Sequence, residues 1–307
     1  MPAWARAWAK HYYADCEQAL GRAALAANDA PQCTPTLNAV FDELDQLVAN
    51  ASSPGRAAML RAGSIASHRA QTDYYVRMVA NPLVKTVCEV GFNCGHSTAL
   101  WLASNPTVVV HSFDLFSKLS HSRAAAKHLQ QRWPGRLHIY DGSSLESVPR
   151  WARELEGRPC DLLHIDGKHS YENTVLDFLN LLPAAAPHAM ALFDDQCNPA
   201  HCDGPPNERP PNAGFRERVA AVPTLATCDL VAAGLMAAAD GFYIGNRQFA
   251  AFRPILSAAR PDRGLPCSPL CQLRFHSENR TQRWAQHGGA ALRKLQLRMR
   301  PSDCRVE

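Results

Sequence analysis

The chain has 307 residues, which is enough to bury a full hydrophobic core, and one domain with additions is the default expectation. Its formal net charge of +4 is too small to indicate nucleic-acid binding, and the lack of any apolar run of about 18 residues excludes a membrane span. The N-terminal residues Met1–Arg6 lack the apolar centre of a signal peptide. Either the protein is soluble in the cell, or the sequence begins after a targeting segment.

Residues 1–80 are predicted to form a helical region. After the start signal Thr34-Pro35, apolar residues recur at helical spacing: Leu37, Val40, Phe41, Leu44, Leu47 and Val48. A second helix is expected to end near Asn81-Pro82, with an apolar face made of Tyr74, Tyr75, Met78 and Val79. We expect these helices either to pack on the edge of a sheet or to form a lid over a substrate pocket.

The stretch from Thr86 to Thr98 resembles the ligand edge of an α/β sheet. An apolar, β-branched run ends at Glu89-Val90-Gly91, and a helix is expected to begin near His96, as when a buried parallel strand passes through a glycine turn into a helix. Gly91 and Gly95 allow the backbone to approach a ligand closely, and the helix start offers N–H groups to an anionic group. The spacing is not the Gly-x-Gly-x-x-Gly pattern of dinucleotide-binding folds.

From residue 86 to residue 248 predicted strands and helices alternate. This pattern predicts a Rossmann-like, doubly wound α/β fold with a mostly parallel, seven-stranded sheet and right-handed crossovers. Strands after the first are expected at 108–114, 137–142, 161–167, 189–195, 225–231 and 241–248, and helices at 120–133, 144–156, 170–182 and near 213–221. The expected organisation is an N-terminal helical region at 1–80, a central domain at 81–255 and a basic C-terminal tail at 256–307.

The chain contains eleven cysteines, more than a cytosolic enzyme usually carries. Cys88 and Cys94 are expected to be buried thiols. A disulfide between Cys197 and Cys202 is predicted if the protein matures in an oxidising compartment. Two glycosylation sequons add to a lean towards the secretory lumen, against the alternative of the cytoplasm: Asn50-Ala51-Ser52 and Asn279-Arg280-Thr281.

Acidic residues end most of the predicted strands. They are Glu89, Asp114, Asp141, Asp166 and the pair Asp194-Asp195. Because ligands of open α/β sheets bind beyond the carboxyl ends of the strands, we expect these acids at one edge of the sheet. So much negative charge in one place requires a cationic ligand, a metal ion or hydroxyl donors.

In the order of several short motifs, residues 86–248 resemble a class I S-adenosylmethionine-dependent methyltransferase. The motifs are Glu-x-Gly-x-x-x-Gly at Glu89, Gly91 and Gly95, then Ser112-Phe113-Asp114, Asp141-Gly142-Ser143, the block from Ile165 to Glu172, and Phe193-Asp194-Asp195. They are similar to those of the small-molecule and sugar O-methyltransferases, such as the macrocin-type enzymes. The resemblance implies S-adenosylmethionine as cofactor and a small-molecule or glycan hydroxyl as methyl acceptor.

The resemblance also implies roles for individual residues in cofactor binding. Asp114 would accept both ribose hydroxyls, Asp141 with Ser143 would read the adenine edge, and the turn from Gly91 to Gly95 would pass along the methionine part. The implied cofactor-binding residues are Glu89, Gly91, Phe92, Asn93, Gly95, Ser97, Asp114, Asp141, Ser143 and Asp166.

The resemblance further implies a metal site and a base. Three carboxylates, from Asp166, Asp194 and Asp195, suit magnesium, manganese or calcium rather than zinc, and such an ion would lower the pKa of the acceptor hydroxyl. His169 lies where related catechol-type enzymes place a lysine base, and Lys168 is the neighbouring candidate. A neutral imidazole can accept the hydroxyl proton near its working pKa.

Two other functions stay open on the sequence. One is a cofactor-binding or scaffold protein that has this fold without turnover. The other is a nicotinamide oxidoreductase, which the glycine spacing and the set of acids disfavour. No nucleic-acid partner is expected, and a homo-oligomer is left open.

Overall fold

The computed structural model describes residues 35–154, 159–196, 234–244 and 247–256, with 223, 226–227 and 230–231 between them. The helices are α1 (Pro35–Ala51), α2 (Pro54–Ala62), α3 (Arg69–Ala80), α4 (His96–Ser104), α5 (Ser120–Arg132), α6 (Ser144–Glu154) and α7 (Tyr171–Leu181), with 3-10 turns at Ile65–Ser67 and Leu182–Ala184. The strands are β1 (Thr86–Val90), β2 (Val109–Asp114), β3 (Leu137–Asp141), β4 (Cys160–Ile165), β5 (Ala185–Gln196), β6 (Met236–Ile244) and β7 (Arg247–Pro254). None of these described helices is long and apolar enough to cross a membrane.

The seven strands form one sheet in the order β3-β2-β1-β4-β5-β7-β6. β1 is parallel to both of its neighbours, with Glu89 opposite Ser112 of β2 and His164 of β4. β2 and β3 are also parallel, and their last residues, Asp114 and Asp141, lie opposite each other. The pairs β5–β7 and β6–β7 are antiparallel, so the sheet is mixed. The predicted Rossmann-like, seven-stranded α/β fold is confirmed.

The described chain divides into two compact units. The first, which we call the β1–β4 unit, contains the described residues up to Gly167 together with Ala184–Ala189. The second, which we call the β6–β7 unit, contains Lys168–Pro183 and the described residues from Met190 onwards. The predicted domain boundaries at residues 80 and 255 stay predictions.

In the β1–β4 unit, the central strands are buried on both faces. Every residue of β1 and β4 is buried, as expected for parallel strands that helices cover. α1 packs on α4 and α5. Its predicted apolar stripe is buried at Leu37, Val40, Phe41, Leu44 and Val48. The helical N-terminal region is therefore confirmed from residue 35 onwards, whereas its role as a lid stays a prediction.

A disulfide joins Cys88 in β1 to Cys160 in β4, with Cα atoms 5.8 Å apart. The prediction of a thiol at Cys88 is therefore wrong. The reason is that its partner lies 72 residues away in the sequence, and only the folded sheet brings the two together. Cys94 is a buried free thiol, as predicted, and burial raises its pKa to about 12.

In the β6–β7 unit, α7 begins where the sequence predicts. The Ser170 side chain accepts a hydrogen bond from the backbone N–H of Asn173 and so caps the helix. Tyr171, Val175 and Phe178 form its buried face. β7 pairs with β6 along nearly its whole length and carries the buried residues Phe249 to Phe252.

The last two predicted strands are wrong in position. Residues 226–227 and 230–231 are helical, so no strand spans 225–231. The predicted strand 241–248 is instead the end of β6 and the start of β7. The alanine-rich segment that begins β6 has low intrinsic strand propensity, and its pairing with β7 overrides that preference.

Several sequence expectations fall outside the described residues. They are the helical pattern before residue 35, the Cys197–Cys202 disulfide, the helix near 213–221, the sequon at Asn279 and the basic tail beyond residue 256.

Candidate active site

The loop between β1 and α4 contains three residues with left-handed backbone angles. The φ angle is 99° at Gly91, 48° at Asn93 and 81° at Gly95. A Cβ atom on Gly91 would lie 2.0 Å from the backbone oxygen of Asp166, so no larger residue fits there. The sequence predicts that Gly91 admits a ligand, whereas the structure shows that the protein's own backbone already requires it.

The predicted cofactor residues Phe92 and Ser97 lie in the interior of the β1–β4 unit. Phe92 is buried and packs on Phe116, with ring centroids 5.0 Å apart. Ser97 is buried in the first turn of α4. Their assignment to cofactor binding stays a prediction, and in this structure both residues are buried.

Glu89 is fully buried, with 0% of the residue exposed. Its Oε2 accepts hydrogen bonds from Thr98 Oγ1 and, at 2.8 Å, from Ser112 Oγ. Its Oε1 accepts a hydrogen bond from Trp101 Nε1 at 3.1 Å and lies 3.2 Å from Nδ1 of His164. Burial raises the pKa of Glu89, but His164 and the hydroxyl donors together lower it below its ordinary value, so the carboxylate is charged.

The hydrogen-bond partners of Glu89 are contacts that sequence reasoning missed. Only one signal in the sequence could have predicted them. Glu89 lies inside a run of otherwise apolar strand residues, and a buried carboxylate requires donors around it. Nothing local says that the donors come from α4, β2 and β4.

Asp114 and Asp141 lie opposite each other at the carboxyl ends of β2 and β3, and their surroundings differ. Asp114 is half-buried; its Oδ2 accepts the backbone N–H of Asn93 at 2.7 Å, and its Oδ1 accepts that of Leu115 at 2.6 Å. Asp141 is exposed, and its Oδ1 accepts the backbone N–H of Ser117 at 3.0 Å. That N–H is the main cause that lowers the pKa of Asp141. Each carboxylate oxygen keeps acceptor capacity for a further donor.

The remaining predicted residues of the β1–β4 unit also lie at the carboxyl ends of its strands. Ser143 is exposed, and its backbone oxygen accepts the N–H groups of Glu146 and Ser147 at the start of α6. Asp166 directly follows β4, and its N–H donates to the backbone oxygen of Val90 at 2.9 Å. The predicted residues that this unit brings to one edge are Gly91, Asn93, Gly95, Asp114, Asp141, Ser143 and Asp166.

Two residues of α5 contact the loop and were not singled out from the sequence. His121 Nε2 lies 3.3 Å from Oδ1 of Asn93, and Ser122 Oγ donates to the backbone oxygen of Asn93 at 2.5 Å. Burial is the main cause that lowers the pKa of His121, with Arg56 adding to it. The sequence places both residues correctly at the start of a helix, but it contains no signal that the helix starts beside this loop.

In the β6–β7 unit, the predicted base contacts Asp195, and the two acids of the predicted pair differ in exposure. His169 Nε2 lies 2.7 Å from Oδ2 of Asp195, and both side chains are partly exposed. Asp194 is 4% exposed, and its Oδ1 accepts the backbone N–H of Asp195 at 2.8 Å. Lys168 is exposed. The metal and base assignments stay predictions.

The donors and acceptors at the edge of the β1–β4 unit suit a ligand with hydroxyl groups and an anionic group. Asp114 and Asp141 present carboxylate oxygens, which hydroxyl donors can reach. No side chain caps the first turn of α4, whose N-cap is Gly95, so its N–H groups suit an anion.

Residues 88–196 match a protein family described as "Methyltransferase domain". This segment contains Glu89, the turn from Gly91 to Gly95, and the acids Asp114, Asp141, Asp166, Asp194 and Asp195. No curated protein matches the chain.

Solved methyltransferase structures have a similar fold at low sequence identity. The SAH-bound methyltransferase PaMTH1 of Podospora anserina has a TM-score of 0.56 and 14% identity, over 78% of this chain and 96% of that one. TomG of Streptomyces achromogenes, an O-methyltransferase of tomaymycin synthesis solved with SAM, has a TM-score of 0.52 and 14% identity, over 70% of this chain and 89% of that one. The O-methyltransferase of Bacillus cereus, solved with SAH, has a TM-score of 0.51 and 16% identity, over 70% and 90% of the two chains. At such identities the likeness shows the fold alone, a Rossmann-like methyltransferase fold, and the family match covers residues 88–196.

Proposed function

We propose that the protein transfers the methyl group of S-adenosylmethionine (SAM) to a hydroxyl group of a small molecule or a sugar. One observation carries this proposal: the left-handed turn from Gly91 to Gly95 lies beside the Asp114 carboxylate at the carboxyl edge of the sheet. That edge belongs to the methyltransferase domain. Neighbours with the same fold were solved with SAM or with S-adenosylhomocysteine (SAH), which supports the same cofactor here.

Each part of the cofactor has a proposed partner in the β1–β4 unit. Asp114 would accept the ribose hydroxyls, and Asp141 with Ser143 would lie at the adenine edge. The N–H groups at the start of α4 would bind the carboxylate of the methionine part, because no side chain caps them. When bound, SAM supplies a methyl group on a positively charged sulfonium, which the acids of this edge favour electrostatically.

The acceptor hydroxyl must lose its proton as its oxygen takes the methyl group, and His169 is the proposed base. Its Nε2 lies 2.7 Å from Oδ2 of Asp195. A carboxylate in this position orients the imidazole and stabilises the imidazolium that forms when the ring accepts a proton. Lys168, the exposed neighbour, is the alternative base.

A divalent cation, magnesium or manganese, is the second part of the proposed chemistry. Its candidate ligands are Asp166, Asp194 and Asp195, whose oxygens suit a hard cation, and a bound cation would lower the pKa of the acceptor hydroxyl. Within the acid pair, Asp195 fits this role better. Asp194 is 4% exposed and directs Oδ1 at its neighbour's N–H. Asp195 also pairs with His169, so the cation and the imidazole compete for one carboxylate.

Titration calorimetry with SAM, SAH and NAD tests the cofactor class. We expect SAM and SAH to bind and NAD not to bind. Binding of NAD without SAM would replace this proposal with an oxidoreductase. Turnover is then measured on a library of hydroxylated small molecules and sugars, in magnesium and in excess chelator. Binding of SAM without methylation of any acceptor class would favour the scaffold protein.

Substitutions of the two candidate bases test the mechanism. His169→Ala is expected to reduce turnover by about 10²–10⁴-fold and to remove the acidic limb of the pH–rate profile. Lys168→Ala is the matched control, because it removes an adjacent exposed nitrogen base. If Lys168→Ala loses turnover while His169→Ala retains it, the base is the lysine.

Chelation separates the two roles of Asp195. If a cation is required, excess chelator and Asp195→Asn both suppress turnover, and added manganese restores only the chelated wild type. If turnover is full in chelator, the metal is excluded. A loss in Asp195→Asn alone would then mean that Asp195 acts through His169.

We also propose that the protein matures in an oxidising compartment, which the Cys88–Cys160 disulfide supports. Asn50, the acceptor of one sequon, is exposed near the end of α1. Mass spectrometry of non-reduced peptides from the natively localised protein is expected to find Cys88 linked to Cys160. Finding both as free thiols would favour the cytoplasm.

A further inference from the structure

Asn93 has an unusual backbone for an exposed loop residue. Its φ of 48° lies in the left-handed region, which disfavours side chains other than glycine, although asparagine tolerates it better than most. A glycine lies two positions away on each side, but Asn93 itself must be held in this conformation by contacts. The described structure supplies three of them from outside the loop, beside a contact of 3.5 Å from Cys94 Sγ to Oδ1 of Asn93.

The three contacts from outside the loop come from the side chains of Asp114, His121 and Ser122. Its backbone N–H donates to Asp114 Oδ2 at 2.7 Å. Its backbone oxygen accepts from Ser122 Oγ at 2.5 Å, and its side-chain Oδ1 lies 3.3 Å from His121 Nε2, which donates to it. All four residues belong to the β1–β4 unit.

The two donors on α5 are buried although the residue they contact is exposed. His121 is 3% exposed and Ser122 is 0% exposed. A buried donor without an acceptor is unfavourable, so the first turn of α5 favours the one loop conformation in which Asn93 accepts from both side chains. The loop conformation is thus determined from outside the loop.

The consequence reaches the Asp114 carboxylate. The N–H of Asn93 holds one of its oxygens and the N–H of Leu115 holds the other, so its orientation is set before any ligand arrives. Each oxygen still has acceptor capacity for a hydroxyl group. A carboxylate that is already oriented binds a diol with less loss of entropy than a mobile one.

We propose that His121 and Ser122 are positioning residues, which hold Asn93 in the left-handed conformation and thereby orient Asp114 for the ribose hydroxyls of the cofactor. This inference rests on the proposed function for its ligand. It adds a part that the family resemblance does not contain: two residues at the start of α5 set the affinity of the proposed ribose site through Asn93.

Two measurements on the same variants test the inference. Calorimetry gives the Kd of SAH, and amide hydrogen exchange without ligand gives the protection of residues 93–95. We expect His121→Ala to weaken SAH binding about 5–10-fold, since one hydrogen bond is worth about 1 kcal/mol, and to speed exchange at Asn93. His121→Gln, which keeps an N–H donor, is expected to restore both to near the wild-type values.

His128→Ala is the matched control on the same helix. His128 is also a histidine of α5, but its Nε2 contacts Glu43 of α1 at 2.9 Å and not the loop. We expect no change in exchange at residues 93–95 and less than a twofold change in the Kd of SAH. If His121→Ala does not fold, Ser122→Ala takes its place in both measurements, and Asn93→Gly is then expected to leave its effect unchanged, because the backbone oxygen that Ser122 contacts remains.

A double-mutant cycle decides whether His121 acts through Asn93. Asn93→Gly keeps the backbone N–H and the left-handed conformation but removes Oδ1. If the inference is right, His121→Ala changes little in the Asn93→Gly background. Additive effects of the two substitutions on the Kd of SAH would overturn it, as would unchanged binding and exchange in His121→Ala.

The outcomes separate this inference from the proposed function. If the wild type does not bind SAH, the proposed function fails, and exchange in the ligand-free protein still shows whether His121 holds the loop. If the wild type binds SAH and the His121 variants match it in both measurements, only the inference fails.

Discussion

Two acids at neighbouring strand ends of the β1–β4 unit look alike in the sequence and differ in the structure. Glu89 in β1 is completely buried and has side-chain donors from α4, β2 and β4. Asp114 at the end of β2 is half-buried and has backbone donors from two loops. Glu89 has no surface through which a ligand can reach it, whereas Asp114 has.

Acids at neighbouring strand ends therefore have different surroundings, and we expect them to have different roles. The Glu89 carboxylate contacts side chains of α4, β2 and β4, so we expect its removal to lower the free energy of unfolding. The Asp114 carboxylate accepts the N–H of the loop residue Asn93 and can accept further donors, so we expect its removal to weaken ligand binding. The predictions that follow test whether stability and binding separate in this way.

The largest effect is expected from Glu89→Ala. Removing the carboxylate takes away the acceptor that His164 and three neutral donors share in the interior, which costs about 3–5 kcal/mol of the free energy of unfolding. Urea unfolding measures it. Asp114→Ala is the comparison variant. If it lowers the free energy of unfolding as much as Glu89→Ala does, stability and binding do not separate between the two acids.

We expect the Cys88–Cys160 disulfide to contribute to the free energy of unfolding and not to ligand affinity. Its loss in the double variant Cys88→Ala/Cys160→Ala, or on reduction, is expected to lower the free energy of unfolding by about 2–4 kcal/mol. Cys94→Ala is the matched control, since Cys94 is a buried free thiol in the same unit. Equal unfolding curves under oxidising and reducing conditions would contradict this prediction.

Asp114→Ala is expected to weaken SAH binding about 100-fold, because two hydrogen bonds to a charged acceptor are lost. Titration calorimetry measures the change. Glu146→Ala, at an exposed acid of the first turn of α6, controls for the loss of one negative charge in the same unit. Unchanged affinity for SAH in folded Asp114→Ala would mean that the ribose binds elsewhere and that Asp114 does not serve ligand binding.

The smallest effect concerns pH. The folded state lowers the pKa of Glu89 below its ordinary value of 4.5, so its charged form stabilises the fold fully above that value. The stabilisation is lost as the pH falls through the lowered pKa. We therefore expect the difference in unfolding free energy between wild type and Glu89→Gln to be constant from pH 7 to pH 5 and to shrink at lower pH. A difference that grows on acidification would mean that Glu89 is protonated in the folded protein.

Much of the fold could be predicted because its signals are local. The buried run at Thr86–Val90, the cap at Ser170 and the stripe of α1 are each visible within a few residues, and the structure confirms all three. The strands at the end of the chain could not be placed. The alanine-rich start of β6 has no strand signal of its own, and its partner β7 decides its conformation.

The site was predicted as a set of residue types and positions, not as an arrangement. The order of glycines and acids along the chain is enough to indicate an edge that binds a ligand with hydroxyl groups, since parallel strands bring their carboxyl ends together. The sequence could not tell a buried acid from an open one. That distinction depends on donors such as His164 and Asn93, which come from other parts of the chain.

The strand and helix order from β1 to β5 and the acids and glycines at the strand ends follow from the sequence, because periodicity, turn residues and strand length act over short distances. Long-range packing buries Glu89 among its donors, joins Cys88 to Cys160 and brings His121 to Asn93. Each of these depends on two groups that lie 28 or more residues apart, or, for Glu89, on three elements at once. Such contacts exist only after the sheet has formed, since packing and not local preference brings the groups together.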